Sequence, residues 1–173
     1  VGPGPGPGPG VAGGRYLTSD LPGIGGVIKQ RPTDFLVEEI PLYEPAGQGE
    51  HIYLFVEKRG LSTLQLVSIL ARHFGVGRHA VGYAGLKDKV AVTRQVISVH
   101  VPGKRPEDFP MLQDERVAVL WADLHHNKLR RGHLQGNRFS IRVRGVDAHR
   151  VLGASRVLER LRVSGVPNRV GEQ

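Results

Sequence analysis

Residues 85–95 contain the side chains best suited to chemistry. They read G-L-K-D-K-V-A-V-T-R-Q and place one carboxylate, Asp88, between two lysines, Lys87 and Lys89. Flanking cations keep a carboxylate ionised, as a nucleophile or a general base must be at neutral pH. The same lysines are suited to contacts with phosphates. Because most K-D-K triplets are solvated turns, the rest of the chain has to decide between a reactive aspartate and an ordinary turn.

The elements that must hold this segment are predicted from hydrophobic periodicity and turn residues. Strands are predicted over residues 25–30, 35–40, 51–58, 81–84, 96–101, 117–124 and 138–144. The spacing of Ser62 and Gln65 is that of a capping box and predicts a helix that ends at Gly75. A second helix is predicted from Asp147 to about residue 163. Since strands and helices do not alternate regularly, we expect an α+β fold with a mixed, largely antiparallel sheet and flanking helices.

The composition indicates a chain with a packed core and no membrane span. Of the 173 residues, 39% are hydrophobic, yet no apolar run approaches the roughly eighteen residues that a membrane helix needs. No secretion signal is visible, and the absence of cysteine excludes disulfides, thiolate nucleophiles and cysteine zinc sites. These features fit a cytoplasmic protein. Residues 1–14 are a Gly/Pro repeat that we expect to be disordered, so ordered structure should cover residues 15–173.

The positive charge of the chain is concentrated in its last third. The net charge is +8: residues 1–127 carry 13 Lys/Arg and 13 Asp/Glu, whereas residues 128–173 carry 11 Lys/Arg and 3 Asp/Glu. Ten of those 11 cations are arginines, which bind phosphates in a bidentate manner and stack on bases. A generally arginine-rich composition explains the choice of arginine but not the scarcity of acids there. This distribution predicts a nucleic-acid partner.

Four motifs occur in an order that resembles a known family. They are I-K-Q-R-P-T-D-F at residues 28–35, the 85–95 segment, K-L-R-R-G-H-L-Q-G-N-R-F at residues 128–139, and G-V-P-N-R-V-G-E-Q at residues 165–173. Together they closely resemble the tRNA pseudouridine synthase D (TruD) family over roughly residues 15–173. The resemblance implies the catalytic domain of an isomerase that works without a cofactor. It would convert uridine to pseudouridine in tRNA, at position 13, and no protein partner is implied, so we expect a monomer.

The resemblance also implies roles for single residues. Asp88 would be the nucleophile, Lys29 would lie near it and pair with its charge, and Asn137 and Phe139 would line the uridine pocket. Chemistry agrees, since an anion must add to the ribose or the ring, and stacking on an aromatic face lets the freed uracil turn in its plane. Taken alone, Phe139 would be a core residue, Asn137 a turn residue and Lys29 an ordinary lysine at the end of a strand.

Several cations around the motifs are candidate RNA contacts, and other cations serve for comparison. The candidates are Lys87, Lys89, Arg130, Arg131 and Arg142, and the comparison residues outside the basic segment are Lys58, Arg59 and Arg72. His125, His126 and His133 could be interpreted as a metal cluster, but we expect surface histidines in a segment that faces RNA. No metal site and no cofactor site are predicted.

Two departures from the family pattern bear on activity. Arg169 and Val170 replace an aromatic pair, and the chain stops at Gln173 where family members continue. We therefore expect an N-terminal portion of the catalytic domain, truncated at the C-terminus, with little turnover by itself. The alternative is a non-catalytic RNA-binding fragment or divergent homologue that binds RNA through residues 128–173. Charge alone would also fit a structural ribosome-associated protein, but Asp88 inside an intact motif favours the enzyme over it.

Overall fold

A computed structural model describes residues 17–166. Residues 27–144 form one compact unit, and the segments before and after them form a second. The repeat at residues 1–14, predicted to be disordered, lies outside the described residues, as do Arg169, Val170 and Gln173. Within residues 17–166, no helix is long and apolar enough to cross a membrane.

The larger unit is built on one mixed sheet. Its strands are β1 (Phe35–Pro41), β2 (His51–Arg59), β3 (Val81–Tyr83), β4 (Val92–His100), β5 (Val117–His125) and β6 (Leu134–Ile141). Their order is β5-β2-β4-β1-β6, and β3 pairs with the end of β4. The β1–β4 pair is parallel and the other pairs of this sheet are antiparallel. The predicted α+β fold with a mixed, largely antiparallel sheet is thus confirmed.

One helix covers part of one sheet face. Helix α1 (Thr63–His73) begins as predicted, because the hydroxyl of Ser62 accepts from the N–H of Gln65 at 3.2 Å and the Gln65 side chain accepts from the N–H of Ser62 at 2.9 Å. Its apolar stripe packs on alternate residues of β2 and β4. This main core includes Ile52, Leu54, Val56, Leu66, Val67, Leu70, Ile97 and Val99.

Strands β1 and β6 extend the sheet beyond this core. Phe139 of β6 is 57% exposed and Ile141 is 47% exposed. By pairing register, these two side chains lie on the same sheet face as the main core, next to β1. The interpretation of Phe139 as a core residue is therefore wrong for the described residues. An apolar strip of the sheet remains accessible beside the core.

The predicted strand over residues 25–30 is wrong. Only Val27 forms a bridge there, to Arg144. The backbone around it does not stay extended, because Gly25 and Gly26 have φ values of 68° and 93° and Lys29 has a φ of 59°. The other predicted strands exist with shifted ends: β4 begins at Val92 rather than residue 96, and β6 runs from Leu134 to Ile141 rather than over 138–144.

The smaller unit contains one long helix. Helix α2 (Ala148–Ser164) begins after Asp147, whose carboxylate accepts from the N–H of His149 at 2.9 Å. It is followed by Gly165 with φ 74°, as the sequence predicted. An ion pair of 3.1 Å joins Arg160 to Asp20. No residue of α2 is buried within the described part of the chain, so the helix presents its side chains to solvent.

Candidate active site

The loop of residues 84–91 carries Asp88 to the edge where several strands of the sheet begin or end. It leads from β3 into β4, and β4 starts beside β1 with Leu36 opposite Val92. The carboxylate of Asp88 is exposed, and within residues 17–166 it makes no hydrogen bond or ion pair. The carboxylate of Asp88 is thus free to contact solvent, while buried side chains anchor the loop residues around it.

Lys87 anchors the loop through a buried ion pair. Its ammonium lies 2.8 Å from Oε2 of Glu39, and the two side chains are 5% and 1% exposed. Oε1 of Glu39 also accepts from the N–H of Val96 at 3.2 Å. That N–H lies between the stretch of β4 that pairs with β1 and the stretch that pairs with β3. This placement argues against the predicted phosphate contact of Lys87, because its charge is already neutralised inside the protein.

A hydroxyl from α1 fixes the backbone of the same loop. Oγ1 of Thr63 accepts from the N–H of Lys87 at 2.9 Å and donates to Oε1 of Gln95 at 3.2 Å. Thr63 and Gln95 are both buried. The loop is therefore tied to the first turn of α1 and to β4 by a continuous hydrogen-bonded chain.

Lys58 holds the same loop at the carbonyl of Asp88. Its side chain is fully buried, and its ammonium donates to the carbonyl of Asp88 at 2.9 Å and to the carbonyl of Leu61. Burial lowers the pKa of Lys58 to about 8, against a smaller raising effect from the charge of Asp88. The use of Lys58 as an exposed comparison cation is therefore wrong, because it lies inside the protein next to the candidate site.

Lys29 does not form the predicted ion pair with Asp88. Its ammonium lies 4.5 Å from the centroid of the Phe35 ring, and within residues 17–166 it has no carboxylate partner. The residue has a left-handed backbone conformation, with φ 59°, and a cation over an aromatic face is attracted by the ring quadrupole. Lys29 remains exposed at the start of β1, at the same edge of the sheet as Asp88.

Asn137 and Phe139 lie on the same sheet face as the anchors of the Asp88 loop. In the pairing register, Phe139 stands opposite Val37, which stands opposite Thr93 of β4. Two strand spacings separate Phe139 from Thr93, which is about 10 Å. Asn137 lies opposite Glu39 and is exposed. The structure therefore places an exposed aromatic ring and an exposed amide on the sheet face that carries Glu39 and Lys58, two anchors of the loop that holds Asp88.

Comparison with known proteins identifies the family. The sequence model of tRNA pseudouridine synthase D (TruD) matches residues 11–173. The chain belongs to the tRNA pseudouridine synthase D family. It is 52% identical over 159 residues to tRNA pseudouridine synthase D of Geobacter metallireducens, covering 92% of this chain and 39% of that protein. Its identity to the Thermus thermophilus protein is 48%, covering 91% of this chain and 44% of the relative.

A solved structure shows the same fold. A crystal structure of a protein assigned to TruD from Methanosarcina mazei superposes with a TM-score of 0.78 at 28% identity, covering 91% of this chain and 36% of that protein. The chain thus spans about two fifths of the length of the curated TruD relatives that it matches.

Asp34 of the first TruD motif has a structural role in this chain. Its buried carboxylate accepts from the guanidinium of Arg144 at 2.7 and 2.8 Å and from the N–H of Arg31 at 3.1 Å. The hydrogen bonds from Arg144 hold the pKa of Asp34 below its usual value. This clamp joins the start of β1 to the chain after β6, and so fixes the two strands that carry Phe35 and Phe139.

The candidate RNA contacts do not form one patch. Lys89 is exposed beside Asp88. Arg130 and Arg131 are exposed in the loop before β6, where the guanidinium of Arg131 lies 5.8 Å from the centroid of the Tyr83 ring. Arg142 is exposed just after β6. Because β6 has eight residues, Arg142 and the other two arginines are separated by about 26 Å along the sheet.

The histidines at the far end of the sheet pack against a tyrosine. The ring of His125 stacks on Tyr43 with centroids 5.0 Å apart, and the hydroxyl of Tyr43 lies 3.1 Å from Nδ1 of His133. Burial lowers the pKa of His125. Over residues 17–166, no group of three or more His, Cys, Asp or Glu side chains is placed to hold a metal ion.

The sequence contains a signal for the buried anchors of the Asp88 loop. Lys58 has the same parity in β2 as Ile52, Leu54 and Val56, which predicts a side chain on the core face. Glu39 likewise continues the parity of Val37 in β1. A lysine or glutamate on the buried face of a predicted strand is rare without a partner, and it is a sign of a polar network.

Proposed function

We propose that the protein to which this chain belongs converts uridine to pseudouridine in tRNA, with Asp88 as the nucleophile. One observation carries the proposal: an exposed carboxylate stands on a loop that buried Thr63, Glu39 and Lys58 hold through the Lys87 N–H, the Lys87 ammonium and the Asp88 carbonyl, respectively. Such rigidity is unusual for a solvated turn and is what a nucleophile needs in order to reach its target in one geometry. Membership of the TruD family supports the same reaction.

The reaction is an isomerisation and needs no net oxidation or reduction. The bond between uracil N1 and ribose C1′ breaks, a bond between uracil C5 and C1′ forms, and the proton on C5 is removed while N1 regains one. The carboxylate of Asp88 adds either to the ribose or to the ring, and it is released when the new bond is complete. We propose uridine 13 of tRNA as the target, no cofactor, and a monomer that acts in the cytoplasm.

The open strip of β1 and β6 is suited to hold the base. Phe139 is exposed, with its ring centroid 6.2 Å from that of Phe35, so an aromatic surface is available on the sheet face that carries the anchors of the Asp88 loop. Stacking holds a base but leaves rotation in its plane free, which the uracil needs before it rejoins through C5. The amide of Asn137 can donate to and accept from a uracil edge. A base in structured RNA must first be turned out of its stack.

A second candidate concerns the chain by itself. Phe139, Ile141 and Val143 remain 57%, 47% and 38% exposed within the described residues. A partly exposed apolar strip and exposed arginines favour RNA binding without turnover for these 173 residues alone, while turnover would belong to the full-length protein.

The decisive test is chemical mapping of pseudouridine in tRNA. A full-length TruD protein that carries these residues is incubated with a tRNA transcript, and the same transcript with cytidine at position 13 serves as substrate control. We expect one new pseudouridine at position 13 with the wild-type protein and none with Asp88→Asn. The substitution keeps the shape of the side chain but removes the anion, so RNA affinity should stay within a few-fold.

A matched control makes the test specific. Asp108 is also an exposed aspartate, in a 3-10 turn where its carboxylate accepts from the N–H of Arg105. Asp108→Asn makes the same chemical change there. This variant should retain wild-type activity. Wild-type product levels from Asp88→Asn would remove Asp88 from the reaction. Binding of tRNA without product by the 173-residue chain would favour the second candidate, whereas absence of product from the full-length wild-type protein would contradict the proposed function.

A further inference from the structure

We propose that Lys58 is a positioning residue for Asp88: its buried ammonium holds the carbonyl of Asp88 and thereby aims the carboxylate. This inference rests on the proposed function of Asp88. Lys58 lies at the end of β2, whereas Asp88 lies in the loop before β4, so the contact joins two segments that are thirty residues apart in the chain.

The burial of Lys58 requires a reason. Lysine is almost never fully buried without a partner, because an ammonium loses its hydration there. Within residues 17–166, Lys58 has no carboxylate within ion-pair distance, and its ammonium donates to two backbone carbonyls, those of Leu61 and Asp88. A hydrophobic residue of the same length would fill the space at lower cost. The cation is thus placed where it contributes to the loop rather than to packing.

Lys58 completes a set of contacts on the Asp88 peptide. The N–H of Lys87 is held by Thr63, the side chain of Lys87 is held by Glu39, and the carbonyl of Asp88 is held by Lys58. These contacts fix the backbone on both sides of the Asp88 Cα and leave its side chain exposed. Since a displacement of about 1 Å can cost about 100-fold in rate, the loss of one of these contacts should lower the turnover rate.

The charge of Lys58 also acts on Asp88. Their mutual interaction raises the pKa of Lys58, although burial dominates and leaves it at about 8. The charged groups near Lys58 are Asp88 and Lys87 from the loop, while Glu57 and Arg59 flank it in β2 and pair with each other on the other sheet face. Lys58 thus contacts the Asp88 residue, whereas Lys29, which the resemblance places near Asp88, lies over the Phe35 ring.

The test replaces Lys58 by methionine in the full-length protein, with Lys104→Met as control because Lys104 is exposed in a turn. We expect Lys58→Met to lower kcat about 100-fold with KM and tRNA affinity within about threefold. The control should match the wild type. In wild-type protein, kcat should fall as pH rises through about 8, and this limb should be absent in Lys58→Met.

Hydrogen exchange separates positioning from general stability and does not depend on activity. In Lys58→Met, amides of residues 86–91 should exchange at least tenfold faster, while amides of α1 and β2 keep their protection. Wild-type exchange in the loop, or a wild-type kcat, would overturn the proposal. A loss of protection spread evenly over the loop, α1 and β2 would also overturn it. If the variant does not fold, a wild-type kcat that stays flat between pH 7 and 9.5 would overturn it. Absence of product from wild-type protein would instead count against the proposed function.

Discussion

Two groups of cations in this chain behave in opposite ways. The side chains of Lys58, from β2, and Lys87, from the Asp88 loop itself, are buried and bonded to carbonyl or carboxylate oxygens. Arg130, Arg131 and Arg142 lie before and after β6, exposed to solvent. Lys87, Arg130 and Arg131 all belong to motifs of the same family, so motif membership does not distinguish the two groups.

The difference shows that the role of a cation in a motif can be assigned only once its burial is known. A buried cation near a nucleophile shapes and holds the loop, and its removal leaves a partner uncompensated in the interior. An exposed cation is hydrated and mobile, and it gains its value when a polyanion releases counterions on binding. The same residue type therefore contributes to stability and geometry in one region and to affinity in the other.

The largest expected effect is on stability, from breaking the ion pair under the loop. Lys87→Met leaves Glu39 buried without its cation and should lower the free energy of unfolding by about 3–5 kcal/mol. Lys89→Met removes the exposed neighbour and should change it by less than about 0.5 kcal/mol. Urea unfolding of the 173-residue chain, followed by the fluorescence of Trp121, measures both.

A double substitution tests the same buried ion pair. Replacing the pair by Glu39→Leu with Lys87→Met should recover much of the loss, because two apolar side chains need no partner in the interior. Equal losses from Lys87→Met and Lys89→Met would show that the ion pair does not distinguish the buried cation from the exposed one.

The next effect concerns RNA affinity. Reversing Arg130, Arg131 and Arg142 to Glu should weaken tRNA binding about 10- to 100-fold at moderate salt and reduce the salt dependence of log Kd by roughly two units. A control with the same change of net charge reverses Arg72, Arg78 and Lys104, which are also exposed. Filter binding over a range of salt concentrations measures both. If both triples lose affinity equally, total charge rather than the position of these three arginines determines binding.

The exposed ring of Phe139 predicts a split between activity and stability. Phe139→Ala should lower turnover about tenfold, the value of one base-stacking contact. Because the ring is 57% exposed, the free energy of unfolding should change by less than about 1 kcal/mol. Phe139→Leu is the comparison: it should be equally harmful to turnover if stacking is the role, and milder if the residue mainly packs. A loss of stability above that of a core leucine would place Phe139 in the core after all.

The smallest effect is a rise of stability with pH. The folded-state pKa of Lys58 is about 8, below its unfolded value of 10.5, so the folded state binds fewer protons between these values. Stability should therefore increase with pH in this window, by up to about 1 kcal/mol between pH 8 and 9. Urea midpoints measure this rise, and Lys58→Met should abolish it. A rise of the same size in that variant would assign it to other groups.

Several features followed from local pattern alone. The capping box of Ser62 and Gln65, the Asp147 cap of α2 and the alternating strand β2 were predicted within one or two residues, because short-range hydrogen bonds and periodicity specify them. The strand predicted at residues 25–30 failed because the backbone at Gly25, Gly26 and Lys29 turns into the left-handed region.

The sequence by itself determined the family, the fold class, the candidate nucleophile Asp88 and the concentration of positive charge in the last third. These depend on residue identity and spacing, which are read along the chain. Tertiary structure decided which charges are buried and which are free. It paired Lys87 with Glu39, brought Lys58 under Asp88, left Lys29 over Phe35 and exposed Phe139. The physical reason is that burial and ion pairing depend on contacts between strands that are far apart in sequence, and no local pattern specifies those contacts.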